Sequence, residues 1–508
     1  MIELLKNIVK TEFYHNNCSG AKRHPAFYNN ICERTETMDS SQKKKPAITI
    51  LIGILLWLCP HPEVITPIAW HLFAIFAATI VGFILQPLPI GAVAFVGVTI
   101  SALTGVVSVK TAISGYGNST IWLIICAFLL ARAFIKSGLG NRIAYLIIKA
   151  IGKSSLTLGY AITLSDFIIS PATPSSTARA GGIIYPIIRS LATALGSEPH
   201  DGTARKFGSY IMQIEYHANA ITCAMFMTAM AGNPMAVELA AKAIGIEITW
   251  SAWALAAIVP GTISLLVMPY LLYKLFPPEI KAMPEAKKMA ADELAKMGPM
   301  TAMEKIVACV FIGALALWAT SELTHMNATG VGMLAVTVLI LTNVLTWQDI
   351  LNEKGAWNTM FWMGSLIALA GSLASSGFIK VVSGMAGAAI QAAGLSWLAA
   401  FTILIVIYVY SHYAFASVSA HIGAMYAAFL AVAVAVGTPP LLAAIAFAAM
   451  SNIMIPLTHY GGGAAPILYG AGYVSQGKWW QLGFIIVTVN VIIWLGLGSL
   501  WWHAIGLW

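Results

Sequence analysis

Residues 171–177 of this chain read Pro171-Ala172-Thr173-Pro174-Ser175-Ser176-Thr177, and they stand in the middle of the apolar segment 155–195. That segment is too long for one crossing of a membrane, because a spanning helix needs about 20 residues. Its two prolines and its run of hydroxyl side chains also interrupt a regular helix at this point. We therefore predict a re-entrant hairpin over residues 155–195, with two helical arms joined at this tip.

A second apolar segment, residues 395–436, has the same design around the tip Ala416-Ser417-Val418-Ser419. Irregular backbone at membrane depth is stable only where protein or a water-filled cavity satisfies its polar groups. We therefore predict a second re-entrant hairpin here, with both tips facing the protein interior.

The composition agrees with a membrane environment. Of the 508 residues, 59% are hydrophobic and 9% are charged, whereas a soluble domain has about 25% charged residues. The net charge of +8 comes from basic residues in short segments between apolar runs, so no nucleic-acid partner is predicted. The chain is predicted to be an all-α polytopic membrane protein with about eleven transmembrane helices plus the two hairpins.

The distribution of basic residues predicts which ends face the cytoplasm. Under the eleven-span layout, the predicted outer segments hold only Lys110, Lys242 and Lys380 of the basic residues between the spans. Cytoplasmic loops are enriched in Lys and Arg, which predicts an inside amino terminus and an outside carboxyl terminus. The predicted spans lie near 46–60, 64–84, 90–107, 119–136, 207–243, 250–276, 304–321, 329–346, 357–376, 438–473 and 478–504.

The two halves of the chain resemble each other. Ser119-Thr120-Ile121-Trp122 matches Asn358-Thr359-Met360-Phe361 at an offset of 239 residues, and Ser137-Gly138 matches Ser376-Gly377 at the same offset. An odd number of crossings separates the matched helices, so the repeats are predicted to be inverted. The predicted organisation is a disordered cytoplasmic tail (1–45), a first helix (46–63), inverted repeat 1 (64–276), a cytoplasmic linker (277–303) and inverted repeat 2 (304–508).

Two further helix interruptions accompany the tips. They are Ala231-Gly232-Asn233-Pro234, the first break, and Thr458-His459-Tyr460-Gly461-Gly462-Gly463-Ala464, the second break. A helix that restarts after such a break points its positive amino-terminal dipole at an anion, and inverted repeats place the substrate at the midplane between them. The alternative is that Ser, Thr and Gly only allow close helix packing.

The motif Thr173-Pro174-Ser175-Ser176-Thr177-Ala178-Arg179-Ala180-Gly181-Gly182 resembles the first signature of the divalent anion/sodium symporter family. It is most similar to the branch of bacterial citrate/succinate and tartrate/succinate antiporters and plastid 2-oxoglutarate/malate translocators. Phe415-Ala416-Ser417-Val418-Ser419-Ala420-His421 and Thr458-His459-Tyr460 are similar to the second-repeat signatures of that branch.

The resemblance implies a carrier for di- or tricarboxylates (succinate, malate, 2-oxoglutarate, citrate or tartrate). It also implies a homodimer with a moving transport domain and a static scaffold, which is an elevator mechanism. The implied location is the bacterial inner membrane, with the plastid inner envelope as the alternative.

By the same resemblance, the tips and breaks hold the substrate carboxylates. The implied binding residues are Ser175, Ser176, Thr177, Gly232, Asn233, Pro234, Ser417, Val418, Ser419, Gly461, Gly462 and Gly463. Ser176 and Val418 stand where the family usually has Asn, so Val418 offers only its backbone. No catalytic residue, cofactor or metal site is predicted.

Arg179 and His421 each follow a tip by two residues. A charge at membrane depth costs several kcal/mol unless it is compensated. The resemblance implies that fixed basic side chains in the exchanger branch replace the bound Na⁺ of other relatives, so we predict charge compensation by Arg179 and protonated His421. The alternatives are an ion pair between Arg179 and Asp166, and a neutral His421 bonded to a carbonyl group.

A built-in cation would be left unpaired in an empty carrier, at a high cost. We therefore predict obligatory, sodium-independent antiport. The alternatives are a sodium-coupled dicarboxylate symporter, a channel, and a membrane enzyme; the last is disfavoured because neither His-Glu-x-x-His nor Gly-x-Ser-x-Gly occurs. Glu215 and His217 are expected near the cytoplasmic interface, paired with each other or with Arg205.

Overall fold

The computed structural model describes residues 40–508. Residues 1–39 of the predicted disordered tail (1–45) therefore lie outside the described residues. From Ser40 onward the chain is helical, so the first helix, Ser40–Leu58, begins before the boundary predicted at residue 46.

The described part of the first half consists of helices and their connections. Between Ser40–Leu58 and the first hairpin lie the helices Pro67–Leu85, Ile90–Leu103, Val109–Ile113, Ser119–Ser137 and Leu139–Ile151. After the hairpin come Gly208–Met225, Gly232–Ile244 and Trp250–Leu275. Short 3₁₀ turns occupy Ser114–Gly117, Ala204–Lys206 and Met227–Ala229.

The second half also consists of helices and their connections. Before the second hairpin lie Pro284–Met297, Ala302–Ala319, Ser321–Thr324, Ala328–Leu341, Trp347–Leu351, Lys354–Ser375 and Phe378–Ala392. After it come Pro440–Ile453, the 3₁₀ turn Ile455–Leu457, Ala465–Gly470, Gln476–Leu495 and Leu497–Ala504. Residues 40–508 contain no β-strand, so the predicted all-α class is confirmed.

Eight helices in residues 40–508 are long and apolar enough to cross a membrane, and a ninth crossing results if the bent pair Lys354–Ser375 and Phe378–Ala392 is one span. They are Pro67–Leu85, Val109–Ser137, Trp250–Leu275, Ala302–Ala319, Trp397–Ala414, Val418–Ala435, Pro440–Leu457 and Gln476–Ala504.

The prediction of about eleven spans includes segments that this length criterion leaves out. Ile90–Leu103 and Ala328–Leu341 have 14 residues each and are about 21 Å long, whereas the hydrocarbon core is about 30 Å thick. The predicted span 207–243 is interrupted between Met225 and Gly232, with the 3₁₀ turn Met227–Ala229 in the gap. The interruption therefore lies earlier than the predicted first break, and Gly232, Asn233 and Pro234 begin the next helix, where a proline is tolerated because the first N–H groups have no helical partner.

The two hairpin segments have the same order of elements. The first contains Ser155–Ile169, the 3₁₀ turn Ser170–Ala172, Ser176–Arg179, a π-helix at Ala180–Ile184 and Tyr185–Ala194. The second contains Trp397–Tyr410, the 3₁₀ turn Ser411–Ala414, Val418–His421, a π-helix at Ile422–Tyr426 and Ala427–Ala435. This shared order agrees with internal repetition. The re-entrant placement stays a prediction, because the two arms of the second hairpin are each long enough to cross.

One helix forms the centre of the molecule. Every residue of Gly208–Met225 is buried, and the helix packs against the first arm of the first hairpin, Ser155–Ile169, and against Trp250–Leu275 and Pro440–Ile453. A helix that is enclosed on all sides by protein has no lipid-facing stripe. Its polar side chains therefore need partners within the protein.

The linker between the halves contains the helix Pro284–Met297, which packs on Leu139–Ile151. Arg142 fixes this region, because its Nε and Nη2 atoms donate to the carboxylate of Glu304 at 2.6 and 3.1 Å. Its Nη1 atom donates to the carbonyl oxygen of Gly298 at 2.9 Å.

Candidate functional site

The first tip and the first break are bonded to each other. The backbone N–H of Ala231 donates to the carbonyl oxygen of Pro174 at 2.9 Å. The Nη1 atom of Arg179 donates to the carbonyl oxygens of Thr173 at 2.9 Å and Ala229 at 3.0 Å. These bonds satisfy carbonyl groups that the interrupted helices leave without a helical partner.

The second break lies against the first tip and against the turn that precedes the second tip. A Cβ atom on Gly463 would be 2.0 Å from Oγ1 of Thr177, so the glycine backbone touches the first tip. On the other side, Nε2 of His412 lies 2.9 Å from the carbonyl oxygen of Gly461, and His412 belongs to the turn before the second tip. The absence of side chains in this Gly-rich segment is what permits both approaches.

We expect Gly463→Ala to abolish transport or to reduce it at least about tenfold. The new Cβ atom would overlap Thr177 Oγ1, and real Cβ atoms essentially never approach heavy atoms closer than 3.0 Å. Either the Thr177 hydroxyl must turn away or the tip and the break must separate, and both changes disturb the proposed binding site. Gly470→Ala is the matched control, because a Cβ there meets no atom within 4 Å. Solute uptake by both variants in vesicles checks this, and equal uptake by the two would contradict the close contact.

The first break is joined through a pair of asparagines to Pro440–Ile453, the helix that precedes the second break. Nδ2 of Asn452 donates to Oδ1 of Asn233 at 2.8 Å. Nδ2 of Asn233 in turn donates to the carbonyl oxygens of Cys223 at 2.7 Å and Phe226 at 3.0 Å, at the end of the central helix. Both side-chain atoms of Asn233 are therefore used within the protein, and the residue is fully buried.

The neighbours of Asn233 are enclosed as well. Gly232 and Pro234 are buried, and a Cβ on Gly232 would be 2.7 Å from Cδ1 of Ile422, in the π-helix that follows the second tip. The structure thus gives the first break a packing role between the hairpins. Substrate contact by Gly232, Asn233 and Pro234 stays a prediction.

The hydroxyl-bearing residues of the two tips remain partly exposed. They are Ser175, Ser176, Thr177, Ser417 and Ser419, and they adjoin partly exposed Gly462 and exposed Gly463. Ser175 Oγ accepts from the N–H of Ala178 at 3.1 Å, and Ser417 Oγ accepts from the N–H of Ala420 at 3.4 Å. Each capping hydroxyl keeps its own proton for donation to an anion.

Val418 and Gly461 differ from the other predicted tip and break residues. Val418 is 6% exposed and Gly461 is buried. Only backbone groups of these residues are available for an anion.

Arg179 is wholly enclosed by protein. Its Nε atom donates to Oδ1 of Asp166 at 2.8 Å, and its Nη2 atom reaches Oγ1 of Thr222 at 3.2 Å and Sγ of Cys223 at 3.1 Å. Together with the two carbonyl bonds of Nη1, these contacts occupy the donors of the guanidinium group. The geometry favours the alternative of an ion pair with Asp166. Direct charge compensation by Arg179 stays a prediction that no measured contact supports.

His421 is buried and paired with His412. The two Nδ1 atoms are 3.1 Å apart, and Nε2 of His421 is 3.3 Å from Oγ of Ser411. Its ring also stacks on Phe415, with centroids 4.5 Å apart. His421 therefore contacts the turn and tip of the second hairpin rather than standing alone in a cavity.

The carbonyl group of Gly461 fixes the protons of this pair. A carbonyl oxygen only accepts, so Nε2 of His412 carries a hydrogen, and in a neutral ring its Nδ1 then accepts from Nδ1–H of His421. Nε2 of His421 is left to accept from the Ser411 hydroxyl. An added proton at this Nε2 is also accommodated, because the hydroxyl can turn to donate to the carbonyl oxygen of Tyr408 at 2.8 Å.

Sequence reasoning missed two partners in this site, because it did not single out His412 or Asn452. It also expected Glu215 and His217 to pair with each other or with Arg205 near the cytoplasmic interface. The expected pairing is wrong, because both side chains are buried in the central helix and their polar atoms have no hydrogen-bond partner among the described residues; their position near the interface stays a prediction. The missed signal was a helix with polar residues on every face, which indicates burial on all sides.

This chain is similar to known proteins over most of its length. The family described as "sodium:sulfate symporter transmembrane region" matches residues 40–508. The protein YflS of Bacillus subtilis (strain 168), whose name assigns malate transport to it provisionally, is 50% identical over 91% of this chain and 96% of its own length. Dicarboxylate transporter 1, chloroplastic, of Spinacia oleracea is 49% identical over 91% of this chain and 82% of its own.

A solved structure also resembles this fold. The YdaH transporter of Alcanivorax borkumensis, whose topology is described as unusual, matches with a TM-score of 0.55 at 10% sequence identity. The match covers 80% of this chain and 88% of that chain. At this identity the likeness concerns the fold alone.

Proposed function

The chain belongs to the family of the sodium:sulfate symporter transmembrane region, and on that premise we propose that this multi-pass membrane protein exchanges small dicarboxylates without Na⁺. The substrate class is proposed from relatives that are named as transporters of malate or dicarboxylates. The observation that carries the proposal is the meeting of two hydroxyl-bearing tips with a glycine-rich break. Hydroxyl groups and free backbone N–H groups at helix starts are suited to carboxylate oxygens.

Two clusters of hydroxyl groups fit a ligand with two carboxylates. Ser175, Ser176 and Thr177 belong to the first tip, and Ser417 and Ser419 belong to the second. Each tip opens a helical segment whose first N–H groups lack helical partners. In this proposal each tip binds one carboxylate, while the backbone of Gly462 and Gly463 closes the space beside the first tip.

The charge of the dianion needs compensation in the protein. The charge of Arg179 is already paired with Asp166, so the proposal assigns this role to the His412–His421 pair after it takes up a proton. Because His412 touches the second break and His421 follows the second tip, a proton shared by this pair lies beside the proposed site. Arg179 then acts as a positioning residue that holds the first tip against the first break.

Exchange follows from the same electrostatics. The proposal requires that the pair keeps its proton when the anion leaves. The empty carrier then holds a buried charge without a partner, and moving it through hydrocarbon is costly. The loaded carrier crosses readily, whereas the empty carrier does not. This consequence favours antiport over sodium symport, in which anion and cations leave together.

An elevator motion is part of the proposal. The hydrogen bonds of Ala231, Arg179, His412 and Asn452 join both hairpins and both breaks into one bonded unit, and a unit so joined moves as one body more readily than it deforms. We also propose a homodimer in a bacterial inner membrane. The mass of the detergent-solubilised protein tests the dimer, and fractionation of the source cells tests the location.

Purified protein in lipid vesicles tests the proposed function. We expect labelled malate or succinate to enter vesicles preloaded with unlabelled dicarboxylate, to stay out of unloaded vesicles, and to enter equally well when K⁺ replaces Na⁺. Protein-free vesicles are the control, and citrate and sulfate as competitors define the substrate class. Uptake into unloaded vesicles that requires Na⁺ would overturn the exchange mechanism and support the symporter.

A further inference from the structure

A buried carboxyl group in the central helix has no use in the proposed transport cycle. Glu215 is 0% exposed, and neither of its carboxylate oxygens has a hydrogen-bond donor among the described residues. An ionised carboxylate in this state would cost several kcal/mol, because it has lost its water without gaining a partner.

Glu215 shares a helix face with two residues that bond to a second carboxyl group. Asn219 and Thr222, four and seven residues further along the central helix, contact Asp166 through Nδ2 at 3.3 Å and through the hydroxyl group, so the Glu215 side chain faces Asp166. Asp166 also accepts from Nε of Arg179 at 2.8 Å. Asp166 is therefore surrounded by hydrogen-bond donors, whereas Glu215 has none. Two carboxyl groups in contact repel each other when both are ionised, and they attract when one carries a proton.

The charges in the cluster lead to the same conclusion, which is that one of the two carboxyl groups carries a proton. The cluster contains one guanidinium group, on Arg179, and two carboxyl groups. The remaining titratable group that interacts with Glu215 is the thiol of Cys223, which is neutral as a buried structural thiol. Two ionised carboxyl groups would leave one uncompensated negative charge in the protein interior, whereas a single proton makes the cluster neutral.

We propose that Asp166 and Glu215 form a proton-binding site that holds one proton at neutral pH, carried by Glu215 and donated to Asp166. The ligand of this site is H⁺, and nothing in the transport proposal requires it. The inference does not depend on which solute is carried, because its test measures protonation rather than flux.

The bound proton affects the charge next to the first tip, because the cluster is bonded to that tip. Asn219, which donates to Asp166, also reaches the carbonyl oxygen of Ser176 at 3.5 Å, and Arg179 donates to the carbonyl oxygen of Thr173. The cluster is thus bonded to the first tip. When the proton is bound, the cluster next to this tip has no net negative charge that would repel an anion.

Infrared spectroscopy of the purified protein tests the proposal. At about pH 7 free carboxyl groups are ionised, since their pKa values are about 4, so a protonated carboxyl band must come from a protected group. We expect the wild-type protein to show this band and Glu215→Gln to lose it completely. Glu304→Gln is the matched control and should keep it, because Glu304 accepts from Arg142 and from the N–H of Thr301 at 2.8 Å and is ionised.

Asp166→Asn provides a second, independent measurement if the first variant does not fold. It leaves one carboxyl group for one guanidinium group, so Glu215 should ionise and the band should again be lost. Persistence of the band in either folded variant, or its absence from the wild-type protein, would overturn the assignment.

Discussion

Arg179→Met should destabilise the protein by roughly 3–5 kcal/mol and abolish exchange, which is the largest effect expected of any single substitution. Removing one member of a buried ion pair leaves the other charge without compensation, and Asp166 is 0% exposed. The substitution also removes both carbonyl bonds that hold the first tip to the first break. Thermal unfolding in detergent and uptake in vesicles measure the two effects.

A matched pair of variants separates a positioning role from direct charge compensation. Arg142→Met breaks another buried ion pair, with Glu304, and should lower the thermal stability while exchange by the folded protein persists. In the double variant Arg179→Gln, Asp166→Asn the buried charges are removed together, so we expect much of the stability and measurable exchange to return. Stability without any exchange in that double variant would support Arg179 as the compensating charge and contradict the positioning role.

His421→Phe should weaken anion binding roughly ten- to hundredfold. The phenyl ring keeps the stacking on Phe415 but cannot take up a proton, and hydrogen bonds or close contacts to a charged group contribute about 1.5–3 kcal/mol, which corresponds to that range of affinity. Concentration dependence of exchange gives the apparent affinity. Exchange by the wild-type protein should also fall as the pH rises, because a growing fraction of the histidine pairs then lacks the proton that compensates the anion.

His503→Phe is the control for this substitution. His503 is exposed and contacts Trp508 edge to face near the carboxyl terminus, so its replacement should leave both the affinity and the pH dependence unaltered. An unchanged pH dependence in His421→Phe would contradict the proposed role of the histidine pair.

Local pattern was enough to predict the class of this protein and the position of its irregular segments. The tips around Ser175 and Ser417 interrupt apolar runs with residues that end helices wherever they occur. The break at Gly461 to Gly463 is equally local, because each glycine destabilises a helix by roughly 0.5–1 kcal/mol relative to alanine and three follow one another here. The family followed from the same short motifs and is confirmed over residues 40–508.

Partners distant in sequence could not be predicted from these patterns. The bond between Asn233 and Asn452 joins residues in different halves, and the contact of Thr177 with Gly463 does the same. The sequence offers Asp166 as a partner of Arg179. Whether Glu215 faces the same cluster depends on how the central helix is rotated about its axis. A rotation of one residue, about 100°, would point that carboxyl group elsewhere.

The order of residues is enough to predict a helical membrane protein with two hydroxyl-bearing tips, because hydropathy and helix interruption are properties of neighbouring residues. Which charges cancel depends on the tertiary structure. Arg179 meets Asp166 and Glu215, and His421 meets His412, because electrostatic energy depends on the distance between groups and on their removal from water, and the order of residues along the chain specifies neither.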